Sequence, residues 1–188
     1  MITEAPRPDL IRLSFDDGNA SDCDIALSRL LGQGMTADFF PLSGRIDHEG
    51  SLTAEQIQTL AAAGMGIGSH GVAHRDWRRL PRQELREELI RSRAELEAVC
   101  GMPVTEAAIP FGSYNGRVLR ALRRAGYRVA YSSDRGRMNP GAFLRPRSSV
   151  RGDMQDKDFA DLLRGELRLA RRLRRGLGMT LRQVPGLR

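Results

Sequence analysis

Short apolar runs alternate with helix-patterned stretches from about residue 10 to residue 150, and this rhythm limits the folds open to the chain. Leu10-Ile11-Arg12-Leu13-Ser14-Phe15 reads as a strand that gives way to Asp16-Asp17-Gly18-Asn19. Ser21 or Asp22 then caps a helix bearing Ile25, Leu27, Leu30 and Leu31, ended near Gly32 or Gly34. Residues 36–42 form a second expected strand. Thr53 and Gln56 make a capping-box pattern for a helix with Ile57 and Leu60 on one face, and Gly64 is placed to stop it. A short strand follows at 65–69. The clearest amphipathic helix spans 81–100, with Leu85, Leu89, Leu96 and Val99 at helical spacing, Glu87 and Arg91 as an i, i+4 pair on a solvated face, and Gly101 beyond its end. Strands are expected at 106–110, 127–133 and 143–150, with a helix over 116–125 between the first two. A last helix covers 156–178, its acidic start and arginine-rich end suiting the helix dipole. Alternation of this kind predicts a parallel sheet.

The chain has 188 residues, 40% of them hydrophobic, which suits one domain of ordinary size with a real core and excludes disorder. It contains no run of about eighteen apolar residues, and Met1 to Pro8 lacks a charged start followed by an apolar core. Cys23 and Cys100 fall in expected helices and read as free thiols. A cytoplasmic location is the expectation from these features. The net charge of +7 is confined to residues 164–188, which hold eight arginines and one glutamate. A basic end of this kind is either a solvated helix face or an attractor of phosphates, acidic glycans or anionic lipid. It has no interleaved aromatics, which argues against nucleic acid. Its apolar residues, with Phe159, Leu162 and Leu163 leading to Leu167, Ala170 and Leu173, read as a stripe packed on protein, with an exposed rim available for a homodimer.

Chemistry concentrates in two places. Asp16 and Asp17 are adjacent carboxylates at a strand end, where one can take a cation while the other exchanges a proton. A turn is the plainer reading of that pair alone. His70 and His74 are two of only three histidines, four positions apart, and would point the same way on a helical turn. Together with one aspartate they define a metal site with an open position for water.

Ser14-Phe15-Asp16-Asp17-Gly18 resembles the T-F-D-D-G motif, and Ser69-His70-Gly71-Val72-Ala73-His74 the H-S/T-x-x-H type motif, of the polysaccharide deacetylase (NodB-homology) family, also called carbohydrate esterase family four. Leu60-Ala61-Ala62-Ala63-Gly64, Glu87-Glu88-Leu89-Ile90-Arg91-Ser92 and Ala108-Ile109-Pro110-Phe111-Gly112-Ser113-Tyr114-Asn115 extend the resemblance from about Leu10 to about Val150. It implies an α/β fold, a distorted and here incomplete (β/α) barrel of about six parallel strands, with the motifs on loops at one face. It further implies one divalent metal ion, zinc foremost, on Asp17, His70 and His74. Asp16 would be the catalytic base and the Phe111 N–H an oxyanion donor, with Pro110, Gly112 and Tyr114 at the substrate. Asp134, at the end of the fifth expected strand on that face, is a candidate for substrate hydroxyls or an arginine, with a helix cap or turn as its plainer reading, and Arg147 is a further candidate at the substrate. The implied reaction removes N-acetyl groups from an N-acetylated sugar, oligosaccharide or polysaccharide.

The sequence departs from the family pattern in two respects. Ala108 stands where the third motif usually has a base-orienting arginine, and Arg147 is the candidate replacement. No histidine follows His74, so the late L-x-H motif and its general acid are missing. Asp16 acting twice, His48 approaching from the second loop, or a catalytically impaired carbohydrate-binding or regulatory relative are the three readings of that loss.

Overall fold

A computed structural model describes residues 11–163. The first strand, β1 (Leu13–Asp17), runs parallel to β2 (Ala37–Pro41), in a register that sets Asp16 beside Phe40 and Asp17 beside Pro41. β3 (Gly66–Ile67) adds a third parallel strand on the far side of β2. A second parallel sheet consists of β4 (Glu106–Ala108), β5 (Val129–Ser132) and β6 (Leu144–Pro146), in that order.

Among the described residues the strands are therefore six in number and parallel as expected, but they form two three-stranded sheets rather than one continuous barrel. The physical reason lies at β3. It is two residues long, and beyond it a Cβ on Gly68 would sit 2.3 Å from the Phe40 ring and 2.9 Å from Glu106 O. Backbone crosses its neighbours closely there, and only a short piece of ladder continues, with the Ser69 N–H donating to Glu106 O at 3.0 Å and the Ala108 N–H to Ser69 O at 2.9 Å. The seam is joined instead by an isolated parallel bridge between Ser69 and Ala107. At the N-terminal ends of the strands, Arg12 spans the seam, bonding Asp38 of β2 and, at 3.0 Å, Glu106 of β4.

Helices cover the sheets. The first expected helix starts as a π-helical segment (Asp22–Leu27) and tightens into α1 (Ser28–Gly32). α2 (Ala54–Ala62) has the full capping box anticipated from Thr53 and Gln56. α3 (Arg82–Cys100) buries Leu85, Leu89 and Leu96 and ends on left-handed Gly101. Arg91 pairs with Glu95 at 2.6 Å rather than with Glu87, which accepts from Gln83. α4 (Gly116–Arg124) is capped by Asn115, whose side chain accepts from the Arg117 and Val118 N–H groups. One core cluster runs from Leu27 and Phe39 through Trp77, Leu89 and Tyr114 to Ala130, beneath both sheets.

The last described helix, α5 (Asp156–Leu163), contains no buried residue. Leu167, Ala170, Leu173 and the arginine-rich segment lie outside the described residues, as do the surfaces expected for lipid contact and dimer formation. No helix among the described residues is long and apolar enough to cross a membrane.

Candidate metal centre and active site

β1 ends in Asp16 and Asp17, and the turn that follows is tight. Asp17 has φ 74° and Gly18 φ 70°, and a Cβ on Gly18 would meet Pro41 Cβ at 2.7 Å. The reversal directs Asp17 toward the loop after β3. That loop carries His70 and His74, and no helix forms over it. The i, i+4 spacing works differently from the expectation, because Gly71 at φ 89° and His74 at φ 52° curl the backbone and bring the ring centroids to 4.9 Å. Asp17, His74 and Phe111 are three of the five non-glycine residues with positive φ among the described residues, and such strain collects at functional sites.

His70 Nε2 and His74 Nε2 lie 3.6 Å and 3.7 Å from Asp17 Oδ1. The His70 ring is 3% exposed, and its Nδ1 is 2.8 Å from Ala108 O, which can only accept, so the proton resides on Nδ1 and Nε2 offers a lone pair. Burial pushes the His70 pKa below its ordinary value, against the opposing pull of Asp16 and of the Ala108 hydrogen bond, which keeps the ring neutral. Asp17 Oδ1 is itself buried and has no hydrogen-bond partner. Lone pairs facing one another without a hydrogen call for a cation. The ligand atoms of the three residues lie within 4.8 Å of one another, and a tetrahedral zinc with ligands about 2 Å away would separate them by roughly 3.3 Å. The donor set fits a divalent ion with an open coordination position.

Asp16 stands beside this group and is held from the second sheet. Arg147, just past β6, donates from Nη1 to Asp16 Oδ1 at 2.8 Å and from Nη2 to Oδ2 at 2.7 Å, with a third bond to Ser14 Oγ at 2.8 Å. Its guanidinium lies against the Phe40 and Tyr131 rings, 5.2 and 5.4 Å from their centroids. Arg147 thus supplies Asp16 with the guanidinium that Ala108 cannot, although it comes from another part of the chain.

Phe111 is 65% exposed, and its ring lies 4.3 Å from that of His74. The Gly112 and Ser113 N–H groups close the turn onto Ile109 O and Pro110 O, so the Phe111 N–H is not part of that pair. Gly112 packs against Ser133, where a Cβ would come within 2.8 Å of the backbone nitrogen. Two expected substrate residues are placed differently. Pro110 is buried, and Tyr114 is fully buried in the core with its hydroxyl donated to Asp134 Oδ2 at 2.8 Å. Asp134 also accepts from Ser132 Oγ at 2.7 Å, so these hydroxyls engage it from below. His48 is exposed on the loop that meets Gly18 through Leu52 N–H, and it is not among the converging ligands.

Three contributors have roles that the reading of sequence pattern did not assign. Asp22 is 6% exposed, accepts the Asn19 N–H at 3.1 Å and so ties off the Asp16-Asp17 turn. Its pKa is pushed up to about 6 by burial, with Asp17 and Asp16 adding to the effect. Ser92 and Glu88 project from α3 toward the histidine loop. Ser92 Oγ is 2.8 Å from Ser69 Oγ, which accepts the Gly71 N–H, and Glu88 Oε2 accepts the Val72 N–H at 2.9 Å. Spacing offered a signal for both, since 85, 88, 89, 92 and 96 form one helical stripe.

Parallel strands with an aspartate–histidine–histidine group at their C-terminal ends, and a clamped carboxylate beside it, define an α/β protein with a hydrolase-like candidate metal centre. The chain belongs to the polysaccharide deacetylase family, whose model matches residues 3–130. It is 29% identical over 147 residues to YxkH of Bacillus subtilis (strain 168), whose name assigns it to the polysaccharide deacetylases; the match covers 77% of this chain and 51% of YxkH, so the chain spans about half the length of that curated relative. Among solved structures it is similar to the Streptococcus pyogenes deacetylase PplD in complex with acetate, with a TM-score of 0.77 and 20% identity over 86% of this chain and 74% of that one. It is also similar to IcaB from Ammonifex degensii, with a TM-score of 0.68 and 26% identity, covering 76% and 68% of the respective chains.

Proposed function

We propose that this protein is a metal-dependent N-deacetylase that hydrolyses the acetamide of an N-acetylated sugar, oligosaccharide or polysaccharide. The observation carrying the reading is the convergence of Asp17, His70 and His74 on one unpartnered carboxylate oxygen, next to an Asp16 clamped by Arg147. Family membership supplies the substrate class.

Asp17, His70 and His74 would hold the ion, zinc foremost given two imidazoles and one carboxylate. When bound, the ion supplies Lewis acidity toward the acetyl carbonyl and toward a water. Asp16 accepts the proton of the attacking water as its oxygen bonds to the carbonyl carbon. Arg147 holds the carboxylate in the plane from which it reaches that proton. The Phe111 N–H donates to the developing oxyanion. Asp16 then returns its proton to the departing nitrogen as the C–N bond breaks, leaving acetate and a free amine. A single carboxylate serving both steps accounts for the missing late histidine.

That same absence favours a second reading, an impaired relative that binds carbohydrate without turnover. Incubation of the zinc-loaded protein with a panel of N-acetylated oligosaccharides and lipid-linked sugars, scoring released acetate, separates the two. Acetate from at least one substrate is expected. Saturable sugar binding with no acetate from any panel member would replace the enzyme reading with the binding one.

A further inference from the structure

Glu88 is 6% exposed on the buried stripe of α3, with Leu85 one turn before it and Ser92 one turn after. A carboxylate in such a place needs donors to meet it. The donor here is the Val72 N–H, at the midpoint of the segment joining His70 to His74. Other bonds hold the same segment from its other sides. Gly71 O accepts from the Ser43 N–H and Val72 O from the Gly44 N–H, each at 3.0 Å. Gly71 is pressed against α3 so closely that a Cβ there would lie 2.8 Å from Glu88 Oε2 and 3.2 Å from Trp77 Nε1, a fully buried indole nitrogen that has no hydrogen-bond partner.

The two histidines are not held alike. His70 has its own ring anchor in Ala108 O, whereas the His74 ring meets His70, Phe111 and Asp17. The position of His74 relative to His70 is therefore inherited from the backbone of residues 71–73. His74 also has φ 52°, a conformation that a loosely held loop would relax.

Resting on the reading of Asp17, His70 and His74 as metal ligands, we propose that Glu88 is a positioning residue for that centre, holding the peptide between Gly71 and Val72 so that both imidazoles face Asp17 before an ion arrives. It acts by reach and hydrogen bonding, and its charge is incidental. Partners that orient metal ligands commonly change metal affinity by about 10–100 fold when removed.

The test is the zinc dissociation constant, measured by competition with a chromophoric chelator on metal-free protein whose fold and melting temperature are checked in parallel. Glu88→Gln keeps the reach and loses the charge, so it should bind zinc within about threefold of wild type. Glu88→Asp keeps the charge and loses the reach, so it should bind about 10–100 fold more weakly while remaining folded without metal. Equal affinity in Glu88→Asp and wild type would overturn the proposal, as would a loss in Glu88→Gln as large as that in Glu88→Asp. His70→Ala is the control for the underlying site. Wild-type zinc binding that does not depend on His70 would overturn the ligand assignment and this proposal with it, whereas His70-dependent binding with an unaffected Glu88→Asp would overturn this proposal alone.

Discussion

Arg147 grips Asp16 through both terminal nitrogens, at 2.8 and 2.7 Å, across 131 positions of sequence. The pair joins the end of the first sheet to the end of the second. Its two-pronged geometry fixes the plane of the carboxylate as well as its position.

Replacing Arg147 with alanine should therefore leave zinc stoichiometry intact and lower kcat on an N-acetylated oligosaccharide by about 10² fold, the cost of a misplaced catalytic group. Lysine should not restore the rate, because a point charge cannot make the paired bonds. Acetate release by Arg147→Lys at the wild-type rate would remove Arg147 from the orienting role.

Asp16→Asn keeps the side-chain shape and removes the proposed base. Loss of deacetylation by about 10² to 10⁴ fold with unchanged zinc content is expected. Turnover near the wild-type rate would reassign the base.

His70→Ala should lose the ion altogether. His70 is buried and contributes one of the three converging donors. Elemental analysis after gel filtration gives the answer, and full zinc content in the variant would contradict the ligand set.

Asp22 gives a pH signature with a definite sign. Its pKa is raised from the ordinary carboxylate value of 3.8 to about 6, so its favourable contribution is complete below pH 4 and is lost as pH rises through 6. Asp22→Asn retains an oxygen to accept the Asn19 N–H and carries no charge. The metal-free variant should melt above wild type at pH 7, by roughly 2–4 °C for each kcal/mol recovered, and the difference should vanish near pH 4. Melting curves across that range check it, and a constant offset at every pH would show that folding does not shift the titration of Asp22.

The seam at the opposite end of the strands depends on Arg12. Without it Asp38, whose side chain is 11% exposed, loses its cation, and Glu106 retains only the Tyr131 hydroxyl at 2.8 Å. Arg12→Ala should destabilise the fold by about 1–3 kcal/mol, read as a lower melting temperature, and leave zinc affinity unchanged. An unaltered melting temperature would mean that the sheets are held together elsewhere.

What could be read in advance follows the range of the interactions. Asp16-Asp17-Gly18, the Thr53 and Gln56 box and the Gly101 stop are set by neighbours a few positions away, and each occupies its anticipated place. Glu88 was hidden because charge usually marks the outer face of a helix, and only the loop after β3 supplies the amide that makes its burial tolerable. The division into two sheets was hidden as well, because β3 is regular over only two residues where 65–69 read as a five-residue strand. The histidine spacing was legible, but its cause was a curled loop and not a helix.

The seam also orders the site in time during synthesis. With Asp17, His70 and His74 as ligands, the whole ion-binding set belongs to the first sheet and its loops, while the guanidinium that clamps Asp16 follows β6. About seventy residues separate His74 from Arg147, so at about 5–20 residues per second a ribosome completes the ligand set roughly 4–15 s before it adds Arg147. The three ligands can thus meet before Arg147 exists, and Glu88 and Ala108, which hold the histidine loop and ring, follow within about thirty-five residues, whereas Asp16 is clamped only once β6 is in place.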